Sequence, residues 1–75
     1  MNYKPINCSF HDLLLDRASR KVISEIVYTA EEKRNTYRGK IVDVFSSKGE
    51  EFLEGEKEFV IRLDQIVSLD GILRF

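Results

Sequence analysis

Scarcity sets the first limits on this chain of 75 residues, which has one cysteine, one histidine, one proline and no tryptophan. A lone Cys8 permits no internal disulfide, which suits a reducing compartment. A lone His11 excludes a two-histidine metal site and a histidine-based triad; Cys8 and His11 sit three apart, but no acid or carboxamide is placed to orient the imidazole. The four glycines are scattered singly and make no phosphate-cradling loop. No apolar run approaches the ~18–20 residues that cross a bilayer, and Met1-Asn2-Tyr3-Lys4-Pro5 lacks the apolar core of a secretory signal. A soluble cytoplasmic protein without a membrane partner, a cofactor or an enzymatic activity is expected. Excess charge is missing too: the formal net charge is −1, which argues against nucleic-acid binding driven by surplus lysine and arginine. There is no repeat, low-complexity tract or linker, so 1–75 reads as one small domain burying about 60% of its unfolded surface.

The N-terminal stretch carries the convincing helix signal. Pro5 disfavours helical backbone at Lys4, so the helix starts later. Ser9 fits the N-cap, and Asp12 three positions on completes a capping-box variant near the positive end of the dipole. Phe10, Leu13 and Leu14 form one apolar stripe, with His11, Asp12 and Asp16 beside or away from it. Asp12 and Asp16, four apart, share a helix face, and Cys8 reads as a small buried hydrophobe at the helix start. At about ten residues such a helix is not stable alone in water and must dock. Ser19-Arg20-Lys21 ends it with positive charge.

Beyond it the pattern is strand-like. Val22 to Thr29 reads as a first strand, residues 30–35 as a charged loop, and Thr36 to Phe45 as a second strand in which Gly39 suggests a bulge or bend. Ser46-Ser47-Lys48-Gly49 has turn chemistry. Short strands follow at Glu51 to Leu53, Glu58 to Leu63 and Ile66 to Leu69, the last two separated by a tight turn at Asp64-Gln65. Asp70-Gly71 is a strong turn signal, and 72–75 adds a last pairing segment or lies across the fold. About five antiparallel strands with too few residues for two stacked sheets predict a small, strongly bent barrel capped by the helix. Charge is uneven: through Lys40 there are eight Lys/Arg against five Asp/Glu, and from Ile41 four against eight. Most of that acid lies in 50–58, either as a solvated strand edge or as an acidic surface offered to a basic partner.

Two segments together carry a family resemblance. Tyr3-Lys4-Pro5-Ile6-Asn7-Cys8 with His11-Asp12, and Glu51-Phe52-Leu53 followed by Ile61-Arg62-Leu63-Asp64-Gln65-Ile66, resemble the Rof family of Rho-binding antiterminators over nearly the whole chain. The resemblance implies an N-terminal helix on a bent five-stranded barrel, Sm-like or SH3-like. It also implies a non-enzymatic regulator that binds the N-terminal RNA-binding region of the hexameric termination factor Rho, keeps RNA off it and suppresses termination. Asp12 matches the family's acidic position, His11 falls where an aromatic or histidine is usual, and Asn7 matches as a residue that shapes the turn into the helix. Leu15 stands where a glutamate often follows, with the acid displaced to Asp16. The expected partner-binding residues are Asn7, His11, Asp12, Asp16, Glu50 and Glu51, on a monomer. In Arg62-Leu63-Asp64, Leu63 is expected in the core and Asp64 in the turn. A second reading, from a different class, is an Sm-like single-stranded RNA-binding module with a basic face built from Arg17, Arg20, Lys21, Lys33, Arg34, Arg38 and Lys40 and with Tyr28 or Tyr37 exposed for stacking.

Overall fold

In the computed structural model, which describes residues 6–74, the chain enters a 13-residue helix, α1 (Cys8–Arg20). The N-cap is Asn7, whose Oδ1 accepts the Phe10 N–H at 2.8 Å. Ser9 therefore lies inside the first turn, and no acid occupies that turn. Asparagine caps as well as serine, so the earlier start adds helical residues at no capping loss. Starting there also turns Cys8 away from the Phe10–Leu14 side, so its thiol is exposed rather than buried. The helix ends at Lys21, a left-handed residue (φ 54°) whose N–H returns to the Ala18 and Arg17 carbonyls. The backbone effect of Pro5 lies outside the described residues.

Six antiparallel strands follow: β1 (Ile23–Ala30), β2 (Lys33–Ser47), β3 (Glu50–Gly55), β4 (Val60–Arg62), β5 (Ile66–Leu69) and β6 (Ile72–Leu73). Their order in the sheet is β4-β3-β2-β1-β5-β6. The 15-residue β2 is the spine. Its first half pairs with β1, from Ala30↔Lys33 to Ile23↔Lys40, and its second half with β3, from Ile41↔Gly55 to Ser47↔Glu50. Between the halves the register shifts at Ile41/Asp43, so Val42 is the bulged residue. Gly39, where the sequence suggested a bulge or bend, keeps its register with Ser24.

In place of the expected bent five-stranded barrel there is a six-stranded antiparallel sheet that does not close. The segment after Asp70-Gly71 pairs as a sixth strand, and β4 and β6, of three and two residues, stand at opposite edges of an open sheet. Closure needs strands long enough to tilt and stagger against each other. Here α1 covers the inward face instead: Phe10 and Leu14 join Ile26, Ile41, Leu53, Ile66 and their buried neighbours in one core. Each such side chain contributes ~1.5–3 kcal/mol on burial.

The hairpins are tight. Lys48-Gly49 and Asp70-Gly71 supply two consecutive positive φ values, the mirror-image turn that matches strand twist. Glu31-Glu32 does the same without glycine (φ 53° and 65°), so the expected loop over 30–35 is two residues long. Residues 63–65 form a 3₁₀ turn (Leu63–Gln65) with Leu63 fully buried. Asp64 takes the Arg62 guanidinium through both oxygens, at 3.1 and 3.2 Å, while the Arg62 N–H donates to Gln65 Oε1 at 2.9 Å. Gln65 then donates to the Thr29 carbonyl at 3.1 Å, tying β4 to β1 across the turn.

Candidate protein-docking surface

With Phe10 and Leu14 in the core, rotation of ~100° per residue decides which side of α1 faces out. Cys8, Asp12, Leu15 and Ser19, spaced four, three and four apart, form that outward ridge, and all four are exposed. Leu15 is 42% exposed and is the helical neighbour of Asp12 three positions on. The ridge thus sets a carboxylate beside an apolar side chain that the core does not use.

Polar contacts hold the helix at defined points. At its start, Asn7 Nδ2 donates to the Arg74 carbonyl at 3.4 Å. In the middle, His11 Nε2 lies 3.1 Å from Glu51 Oε2 on β3. Near the end, Arg17 Nε donates to Asp70 Oδ2 at 3.2 Å, and Asp70 Oδ1 accepts the Glu25 N–H at 2.8 Å. Individually such surface pairs contribute only ~0–1 kcal/mol. Spread along the helix, they fix its orientation on the sheet.

The six expected contact residues are therefore in different situations. Asn7 is the cap, and His11 and Glu51 hold each other. Asp16 is met by Arg20 at 3.0 Å and Arg17 at 3.4 Å, so the Asp12/Asp16 pair is not a doubled negative charge. Glu50 lies on the other face of β3, 3.3 Å from Arg62 Nη1. Asp12 is exposed and makes no ion pair among the described residues. Rigid anionic presentation on the helix thus rests on Asp12. The exposure of Leu15 and Cys8 was missed in the sequence, although a helical wheel drawn from the Phe10–Leu14 stripe puts both on Asp12's side.

Tyr28 and Tyr37 are committed inward. Tyr37 stacks on Phe59 (centroids 4.3 Å apart, planes 7°), and Phe59 meets Tyr28 edge-on at 5.1 Å. Tyr37 Oη donates to the Lys40 carbonyl at 2.8 Å and accepts the Glu56 N–H at 2.7 Å. Neither ring is a stacking platform for bases. Of the basic residues, Arg17, Arg20 and Arg38 are paired with Asp70, Asp16 and Glu25; Lys33 and Arg34 lie beside Glu31 and Glu32 at a hairpin tip, and Lys21 and Lys40 are exposed at the helix end and in mid-β2. Among the described residues no group of three or more His, Cys, Asp or Glu is arranged to hold a metal, and no helix is long and apolar enough to cross a membrane. A comparison of the chain with models of known protein families and with curated proteins gives no match.

Proposed function

We propose that this chain is a non-enzymatic regulator of the Rof type, which binds the N-terminal RNA-binding region of transcription termination factor Rho, keeps RNA off it and thereby suppresses Rho-dependent termination. The observation that carries the reading is the outward ridge of α1, where Asp12 and Leu15 stand side by side on a helix tied to the sheet along its length. A surface that competes with RNA for a cationic groove needs fixed negative charge, and an apolar neighbour adds contact that salt does not screen. The Pro5-Ile6-Asn7-Cys8 and Arg62-Leu63-Asp64 motifs support the same assignment by resemblance. On this reading the bent sheet is a variant of the Sm-like barrel with its two shortest strands left as edges, acting as a monomer in the cytoplasm. The RNA-binding alternative is disfavoured by the inward commitment of Tyr28 and Tyr37.

The test is retention of the chain on immobilised Rho from the same host, at low and moderate salt. Asp12→Arg is expected to weaken binding about tenfold or more, ~1.4 kcal/mol or above, and Leu15→Ser by about threefold, while Glu54→Gln on the far face of the sheet binds like the parent. Absence of retention at either salt, or parent-like binding by Asp12→Arg, would sink the reading.

A further inference from the structure

The face of the sheet turned away from α1 carries a second constellation. Strand alternation and register place Asp43, Glu54 and Val60 in one row and Phe45, Phe52 and Arg62 in the next. Phe45 and Phe52 stack across the strands with centroids 5.4 Å apart. Both are half-buried, yet neither belongs to the core or to the side chains packed against it. Val60 beside them is 48% exposed. Two of the five phenylalanines are therefore placed where the core gains nothing from them.

The charge around the rings is lopsided. At one end Arg62 answers Asp64 and Glu50. At the other, Asp43 and Glu54 face each other in register, and neither meets a cation among the described residues; Asp43 Oδ1 only accepts the N–H of Val44 at 2.8 Å. Like charges directly opposite on an antiparallel pair destabilise it. The bulge at Val42 creates the arrangement: Ile41 points inward, and the extra residue turns Asp43 outward instead of into the core. Bulges re-aim side chains in this way.

We infer that this outer face of β2–β3–β4 is a docking site for an arginine-bearing segment of a partner protein, with a guanidinium lying on the Phe45–Phe52 pair and ion-pairing with Asp43 and Glu54. Arginine fits better than lysine because its planar, weakly hydrated head stacks on a ring face while donating in parallel to carboxylates. The face already carries one arginine: Arg62 stands opposite Phe52 in register and is ion-paired with Glu50 and Asp64. The site is separate from the α1 ridge and does not depend on the function proposed for it.

The experiment is an amide NMR titration of the full chain with a capped peptide of alternating arginine and serine, with lysine and glutamate counterparts and a short single-stranded RNA. The arginine peptide is expected to shift the resonances of Asp43, Phe45, Phe52 and Glu54 saturably and at least threefold more tightly than the lysine peptide, with the glutamate peptide silent. Asp43→Ser with Glu54→Ser should weaken it about tenfold, and Asp12→Arg should leave it unchanged. The serine variant removes a repulsion, so it should fold at least as well as the parent; Phe52→Leu, which keeps the charges, is expected to abolish the preference for arginine over lysine. Shifts confined to the α1 ridge, equal binding of the two basic peptides, or stronger shifts of this face by RNA would each overturn the assignment.

Discussion

Tyr37 shows how one side chain dictates the identity of two others. Its ring is clamped by the stack on Phe59 and by two hydrogen bonds at Oη, so it cannot move aside. A Cβ on Gly39 would fall 2.7 Å from that Oη, and one on Gly55 2.6 Å from it. Glycine is needed at both positions for closeness, not for backbone freedom, because neither has a positive φ. Gly55→Ala is therefore expected to cost about 1–3 kcal/mol through overpacking, read as a lowered thermal midpoint. In a Tyr37→Ala background the same change should cost much less, and equal losses in both backgrounds would refute the explanation. This could not be read locally: Gly39 in mid-strand signalled something special, but nothing near it named Tyr37, and nothing near Gly55 distinguished a turn glycine from a packing one.

At the scale of elements, the helix start replaces the capping scheme that the local pattern favoured. Ser9-Phe10-His11-Asp12 fits a capping box as a motif, yet Asn7 holds the Phe10 N–H and reaches Arg74 as well. Asn7→Ala should cost ~1 kcal/mol, whereas Ser9→Ala should change stability by no more than about half of that; urea midpoints of the two variants check it, and the reverse order would restore Ser9 as the cap. The hairpins divide by the same logic. Lys48-Gly49 and Asp70-Gly71 were legible because glycine announces a positive φ. Glu31-Glu32 was not, since two glutamates in the left-handed region are imposed by the pairing of β1 with β2 on either side.

For the whole molecule, a net charge of −1 conceals its distribution. Arginines draw in Asp16, Glu25, Glu50, Asp64 and Asp70, so acid from both halves of the chain is neutralised at home. Carboxylates without an ion pair among the described residues include Asp12 on the helix, the Asp43–Glu54 row on the opposite side, and Glu31, Glu32 and Glu58 at turns. The acidic stretch over 50–58 thus resolves into separate uses: Glu50 and Glu51 as ties, Glu54 as surface charge, Glu56 as an acceptor for the Lys40 N–H at 3.2 Å, and Glu58 as an exposed left-handed turn residue. Self-assembly through the edges is not expected, because a two-residue β6 and a three-residue β4 offer too few backbone groups for a ladder, and short edge strands are a common defence against pairing. The chain should elute at monomer size at ~100 µM, and a concentration-dependent dimer would contradict this.

By itself the sequence determined that the fold is mainly β with one docking helix, where most strands and two hairpins lie, and that Phe10, Leu14 and Leu63 face inward, because periodicity and glycine placement are local properties. Tertiary structure alone decided that the sheet stays open, that Tyr37 occupies the space above two glycines, and which carboxylates are silenced. Each of those outcomes depends on residues brought together from distant parts of the chain, such as His11 with Glu51 or Arg17 with Asp70, and a pairing of that kind leaves no trace in the spacing around either member.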